Sequence, residues 1–365
     1  MADSVLVTGG AGFIGSHLAD ELLRAGHRVR VLDSLVEQVH GKSQRPDYLD
    51  EDAELIAGDV RNGEVVRGAL EGIDSVVHLA ARVGVGQSMY EPAEYAAANT
   101  AGTGVLLEAL LDHPVRKLVV ASSMSIYGEG AYEPAPAQER TREQLERGDW
   151  DPRGPNGEQL EPVPTPETKE RSLASIYALT KYDQERMCLL YGGAYDVPAV
   201  ALRFFNVYGP RQALSNPYTG ALAIFASRLL NDHAPVVYED GHQRRDFVNV
   251  ADVARATRLA LERDGADGLP VNVGSGRSAS VLEIAEALAR VLGKEIEPEL
   301  PGKFRAGDIR HCFADVTRAR EALGFEAEVP FEQGLAELAE WLEGQAATDR
   351  FEEAAAELDR RGLTA

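Results

Sequence analysis

Two cysteines in 365 residues, Cys188 and Cys312, leave nothing from which to build a disulfide framework or a cysteine-based metal site. Each lies inside a helix- or strand-like segment, and a reducing interior suits them. Long apolar runs are missing too: none approaches the roughly 20 residues that a membrane span requires. The opening MADSVLVTGG passes straight into a strand pattern without a basic stretch or an apolar signal core. The expectation is a cytoplasmic chain without a membrane partner. Positive charge is the third scarcity. Lys and Arg number 37 against 59 Asp and Glu, a formal net charge of −22. That balance argues against nucleic acid as a partner. It also repels a small anion, so an anionic ligand needs arginines or helix N-termini placed locally.

What is present alternates. SVLVT (4–8), RVRVLD (28–33), AELIAG (53–58), SVVHLA (75–80), KLVVAS (117–122) and VPAVALRF (197–204) read as strands. Between them Phe13, Ile14, Leu18 and Leu22 share one helical face, and Val105, Leu106, Ala109 and Leu110 another. A long helix is expected around 174–192. Such alternation predicts an α/β fold, a doubly wound parallel sheet with helices on both sides. Residues 129–171 break the pattern with seven prolines and little apolar periodicity. They read as an excursion from the sheet, either a flap near a site or a surface loop. The expected division is a dinucleotide-binding domain over 1–204 and a smaller, interleaved α/β substrate domain over 205–345. A helical tail over 346–365 reads as solvent-facing.

Gly9, Gly12 and Gly15 are spaced G-x-x-G-x-x-G between the first strand and the first helix, with Phe13 and Ile14 opening that helix. Glycine permits a tight turn and close approach of a pyrophosphate to the unpaired amides of a helix N-terminus. Asp33 ends the second strand 18 residues past Gly15. Its carboxylate suits the adenosine ribose diol and repels a 2′-phosphate, which favours NAD over NADP. Asp59 and Val60 follow the third strand, where the adenine would lie. The sheet is therefore expected to be of the Rossmann type.

Tyr177 and Lys181 stand four residues apart on one helical face. A phenol is a poor base at its reference pKa of about 10, but a neighbouring ammonium stabilises the phenolate. Y-x-x-x-K alone is common; here it joins the glycine turn and the hydroxyl-rich SSMSIYG (122–128), which follows a buried strand.

With GGAGFIG, Asp33, GDV (58–60), HLAA (78–81), Asn99, SSMSIYG, YALTK, RFFNVYGPR (203–211), RRDFVNVADVA (244–254) and RAGDIR (305–310) in order, the chain resembles the extended short-chain dehydrogenase/reductases. Within these it is similar to the NAD-dependent nucleotide-sugar epimerase/dehydratase family over roughly residues 4–343. The resemblance implies that Ser123 binds the reacting sugar hydroxyl, Tyr177 is the acid/base and Lys181 tunes it. It places Gly9, Gly12, Gly15, Asp33, Asp59, Val60, Leu79, Ala80, Ala81, Asn99, Tyr177, Lys181 and Phe204 against NAD. It places Ser123, Ser125, Asn206, Arg245, Arg305 and Asp308 on a nucleotide-diphosphate sugar, with Val236 and Tyr238 beside its base.

The family's shared step oxidises the sugar at C4. Family dehydratases carry an Asp-Glu pair directly after the hydroxyl residue, where this chain has Met124 and Ser125. UDP-glucuronate decarboxylases usually have Glu at the place of Ser125. The expected reaction is therefore 4-epimerisation. ARVGVGQSMYE (81–91), ASSMSIYG and GDIRHCFADV look most like dTDP-L-rhamnose 4-epimerase-type sequences, implying a dTDP-6-deoxyhexose substrate. Val83, Met89 and Met124 are candidates for an apolar wall around such a sugar. Alternatives are UDP-glucose or UDP-glucuronate 4-epimerase, UDP-glucuronate decarboxylase, a 4-keto-sugar reductase, or a non-catalytic NAD-sensing regulator. Some relatives carry paired cysteines in the insert; RGPNG (153–157) has none, and no metal is expected. The resemblance further implies a homodimer pairing helices near 91–112 and 173–192.

Overall fold

The computed structural model describes residues 3–41, 44–214, 216, 220–305, 308–345 and 348–364. Residues 217–219 of the NPYTG loop and Ala306-Gly307 of RAGDIR lie outside these. Seven strands form one sheet: β1 (Ser4–Thr8), β2 (Arg28–Asp33), β3 (Glu54–Ala57), β4 (Ser75–His78), β5 (Lys117–Ser123), β6 (Ala199–Phe204) and β7 (Pro270–Val273). Their order is β7-β6-β5-β4-β1-β2-β3, and every pairing is parallel. The central strands β1, β4, β5 and β6 are mostly apolar and buried because both faces are covered. Val5, Val7, Val31, Val77, Val119 and Leu202 pack on one face, and Leu6, Leu32, Val76, Leu118, Val120 and Ala201 on the other.

Helices α1 (Phe13–Arg24), α2 (Gly63–Leu70), α3 (Gly102–Asp112) and α4 (Ile176–Tyr195) fill four of the five crossovers among the first six strands. On α1 the expected face points inward through Leu18 and Leu22, both fully buried. Strand order reverses between β1, β2 and β4, which opens a crevice at their carboxyl ends. Thr8, Asp33, His78, Ser123 and Phe204 end their strands along that rim. A smaller unit follows β6 with its own core, including Tyr208, Leu222, Phe225, Ile284, Leu288, Leu335 and Leu338. Strand β7 returns from within it to the main sheet beside β6, so the two units interleave. No helix among the described residues is long and apolar enough to cross a membrane.

The proline-rich insert has structure of its own: Ala131–Glu133 pairs antiparallel with Glu161–Val163, and Arg142–Glu146 is helical. The tail departs from a purely solvent-facing helix. Phe351–Arg360 is amphipathic and buries Phe351, Ala354 and Leu358.

Candidate active site

At the crevice the glycine turn is tightly packed. Gly9 has φ +70°, and a Cβ there would meet the Ala80 amide nitrogen at 2.8 Å. A Cβ on Gly15 would lie 2.4 Å from the Gly9 carbonyl oxygen, so neither position admits a side chain. Helix α1 starts at Phe13 and Ile14 with Gly12 as N-cap and no side-chain cap, leaving its first amides to an external acceptor. Asp33 is buried, and its two oxygens accept from Ala11 N (3.0 Å) and Leu35 N (2.9 Å). Each oxygen retains acceptor capacity for a ribose hydroxyl. Cradle, uncapped helix and carboxylate fit an adenine dinucleotide.

Other residues expected at the cofactor divide into groups. Leu79, Ala80 and Ala81 follow β4 directly opposite Gly9, with the Leu79 amide donating to Thr8 O at 3.0 Å. Val60 is buried against Gly102, and Phe204 sits at the end of β6 in register with Ser123. Asp59 is engaged by Arg61 through 2.7–3.0 Å bonds that hold its carboxyl below the usual range. Asn99 lies on a π-helical turn (Ala96–Ala101). Its amide clamps the chain beyond β4, accepting from Arg82 N (2.7 Å) and donating to Arg82 O (3.1 Å) and Thr180 Oγ1 (3.0 Å). Its hydrogen bonds thus position the crevice wall.

Three elements converge on the reacting groups. Ser123 ends β5 and caps the 3₁₀ turn Met124–Tyr127. Its Oγ accepts from Ser125 N (3.2 Å) and Ser125 Oγ (2.9 Å), and Ser123 lies close enough to the Tyr177 phenol to act on its pKa. Tyr177 rises from the first turn of α4, whose N-cap Ser175 serves Ala178. Burial pushes its phenol upward, and the neighbouring Ser123 opposes that. Lys181, one turn along, is buried and pushed down to about 7 by desolvation. Behind it Glu185 and Arg203 form a fully buried pair at 2.6 Å that fastens α4 to β6. Met124 packs among Ile126, Tyr127, Phe205, Cys312 and Ala314, whereas Val83 and Met89 are exposed on the segment after β4.

On the far side stand the residues expected at the nucleotide diphosphate. Asn206 lies on a short strand beside Phe247, and its buried Oδ1 has no hydrogen-bond partner among the described residues. Arg245 donates to the carbonyls of Arg244 and Arg310 (3.0 Å each) and of Ile309. Arg305 stacks on the Tyr238 ring at 4.2 Å, and its buried Nε has no hydrogen-bond partner among the described residues. Among the described residues neither arginine is in a salt bridge: Arg245 is held by backbone carbonyls and Arg305 by the Tyr238 ring. Val236 bridges Glu299, and Asp308 turns back on Arg305 through a 3.2 Å amide bond.

Sequence reasoning missed several contributors. The insert is stitched to this substrate-side segment: Arg140 donates to Glu239 Oε1 (2.8 Å) and Asp308 O (2.7 Å), and Glu129 accepts Arg310 N (2.7 Å). The tail bridges both sides of the crevice. Leu358 packs on Gly86, Arg361 stacks on Tyr90 at 4.3 Å, and Thr364 pairs with Arg305. Ser88 in that same 85–90 segment accepts the Tyr177 amide at 3.0 Å. Only the apolar spacing of Phe351, Ala354 and Leu358 could have signalled the tail's docking face.

Fold and crevice define an α/β protein of the dinucleotide-binding class. The model of the NAD dependent epimerase/dehydratase family matches residues 5–274, and the chain belongs to that family. A dTDP-L-rhamnose 4-epimerase of Burkholderia thailandensis is 37% identical over 354 residues, covering 93% of this chain and 94% of the relative. The Thermus thermophilus UDP-glucose 4-epimerase in complex with NAD superposes with TM-score 0.76 at 32% identity, over 94% of this chain and 100% of the other. The Thermotoga maritima UDP-glucose 4-epimerase with UDP-glucose gives TM-score 0.77 at 31% identity, over 93% and 98%.

Proposed function

We propose that this enzyme is a nucleotide-sugar 4-epimerase acting on a dTDP-6-deoxyhexose such as dTDP-L-rhamnose. The arrangement that carries the reading is Ser123 at the end of β5 beside Tyr177 and Lys181 on one face of α4, with no carboxylate following Ser123. Ser123 orients the C4 hydroxyl, and Tyr177 takes its proton and returns it. Lys181 supplies the positive charge that brings the phenol toward a working pKa. NAD held at the Gly9–Gly15 turn and Asp33 would supply the reversible hydride acceptor for C4. Met124 is turned into a packed cluster and Ser125 donates to Ser123. With no acid or base there to expel water or carbon dioxide, the keto sugar has reduction at its other face as its outcome.

Arg245, Arg305 and Asn206 hold the diphosphate, with the Tyr238 ring and Val236 beside the base. The two arginines supply local positive charge for an anionic ligand of a chain whose net charge is −22. Residues 1–204 supply the cofactor half and residues 205–345 most of the substrate half. The 6-deoxy sugar is favoured by the 37% identity to a dTDP-L-rhamnose 4-epimerase and by the apolar Val83 and Met89 near the crevice. The assembly is a homodimer, supported by an apolar groove on the surface between Pro92–Ala101 and the start of α4, where Leu179 is 42% exposed. The test incubates purified enzyme with dTDP- and UDP-sugars without added NAD and resolves C4 epimers by NMR. Interconversion that disappears in Tyr177→Phe is expected. Stoichiometric change in NADH absorbance, or turnover surviving that substitution, would overturn the assignment.

A further inference from the structure

We propose that Gln184 is a positioning residue for the reaction, holding the Lys181 ammonium in place and tying it to the wall of the cofactor crevice. The inference rests on the role given to Lys181 above. Gln184 lies three residues along α4, fully buried. Lys181 Nζ donates to Gln184 Oε1 at 2.6 Å. Gln184 Nε2 faces Ala80 O at 3.2 Å, Thr103 Oγ1 at 3.0 Å and His78 Nε2 at 3.1 Å. An ammonium only donates and a backbone carbonyl only accepts, so the amide has one permitted orientation. Its far end reaches the Ala80 backbone that closes on Gly9. Thr103 Oγ1 continues the chain by donating to Asn99 O at 2.6 Å, and Asn99 clamps Arg82. One side-chain amide therefore links the lysine, the glycine turn and the loop beyond β4.

The chemistry asks for a neutral acceptor at this position. Buried amines lose their proton unless something accepts from the ammonium. On its own helix Lys181 follows Tyr177 by one turn and is influenced by Glu185 and Cys188, and the Glu185 carboxylate is committed to Arg203 at 2.6 Å and Ser122 at 2.7 Å. From β4 comes His78, buried and pushed down to about 3, hence neutral. From the flanking helix α3, Thr103 Oγ1 meets the Gln184 amide rather than the ammonium. An apolar residue at 184 removes the acceptor and favours free amine. A carboxylate retains the ammonium but cancels the field at Tyr177.

The test compares Gln184→Leu and Gln184→Glu with Lys181→Met and wild type. Lysine-labelled, cofactor-stripped protein has six lysines, so NMR can follow Lys181 directly, with K181M as the assignment control. For Q184L the Lys181 pKa and the alkaline limb of the kcat profile should both fall by about one pH unit, the size expected for one lost charge-assisted bond. Its kcat should fall about tenfold with the sugar KM within about twofold. For Q184E both the lysine pKa and the alkaline limb should rise. A residue that only packs would move neither, so unchanged limbs and an unchanged lysine pKa in Q184L overturn the inference. Turnover by K181M would instead remove the reading beneath it.

Discussion

Ser88 Oγ accepts the backbone N–H of Tyr177 at 3.0 Å, and Ser88 is itself fully buried. The first amides of a helix have no intrahelical partner. Ser175 caps Ala178, so Ser88 fixes the amide of the residue that carries the phenol. Ser88→Ala leaves that amide without its partner and loosens the start of α4. A displacement near one ångström can cost on the order of 100-fold. We expect kcat to fall about ten- to a hundredfold. Cofactor content of the purified variant, read by absorbance after acid extraction, should stay at the wild-type level. A wild-type kcat would show that Ser175 alone sets the helix start.

The tail offers a second test because it spans the crevice. Leu358 rests on Gly86, in the segment that carries Ser88, while Thr364 pairs with Arg305. Burying a leucine side chain stabilises by about 1.5–3 kcal/mol. Leu358→Glu reverses that and should undock Phe351–Arg360. The expected outcome is faster tryptic cleavage at Arg360 and Arg361 and a several-fold higher KM for the nucleotide sugar. Equal protease resistance and an equal KM would reduce the tail to surface decoration.

The sheet and its rim were legible because they obey local rules. Apolar runs of strand length, the glycine spacing and the Tyr177–Lys181 interval each speak within a few residues. The parts that escaped depend on pairs far apart in the chain. Gly86 with Leu358 and Ser88 with Tyr177 leave no periodic trace. Asn99 and Asp59 show the converse, for their positions were legible but their hydrogen bonds were not. Asn99 holds Arg82 and Thr180, and Asp59 holds Arg61, arrangements set by the π-helical turn and a two-residue loop. By composition the insert is only an excursion with little apolar periodicity. Its order comes from charges in the substrate half that no reading of residues 129–171 contains.

Acid should destabilise the enzyme through its buried histidines. Burial, with Lys181 adding repulsion, pushes His78 from 6.5 down to about 3, and burial beside Arg211 pushes His17 down to about 4. Below pH 6.5 the unfolded chain binds protons that the folded one refuses, so stability falls as pH drops through 6.5 toward 4. Each tenfold change in proton affinity between folded and unfolded chain is worth about 1.4 kcal/mol, so His78 alone accounts for a few kcal/mol. Melting temperatures measured from pH 7 to pH 4 should decline. The slope should be shallower in His78→Gln, which keeps a polar group between Thr8 and Thr103. Parallel slopes for the two proteins would assign the acid sensitivity elsewhere.

Arg310 is the keystone of the contact between insert and substrate half. Its guanidinium is nearly fully buried and donates to Glu239 Oε2 (3.1 Å), Asp240 Oδ1 (2.6 Å) and Asp151 Oδ1 (2.8 Å). Glu239 is the decisive partner, since it is as buried as the arginine and burial already raises its carboxyl. Asp151 is mostly exposed, so water screens that contact. Arg310→Met retains the volume and removes the charge, leaving Glu239 with Arg140 alone. Breaking a buried pair on one side costs about 3–5 kcal/mol. We expect a loss near the lower end, about 3 kcal/mol, in urea unfolding, because Arg140 still compensates Glu239. Asp308 and Arg305 lie on the same segment, so the KM for the sugar nucleotide should rise while kcat at saturation stays within about threefold. Restoring neutrality with Glu239→Gln in the Arg310→Met background should recover part of the stability. If the double variant is no more stable than the single, the buried Glu239 charge is not what Arg310 compensates.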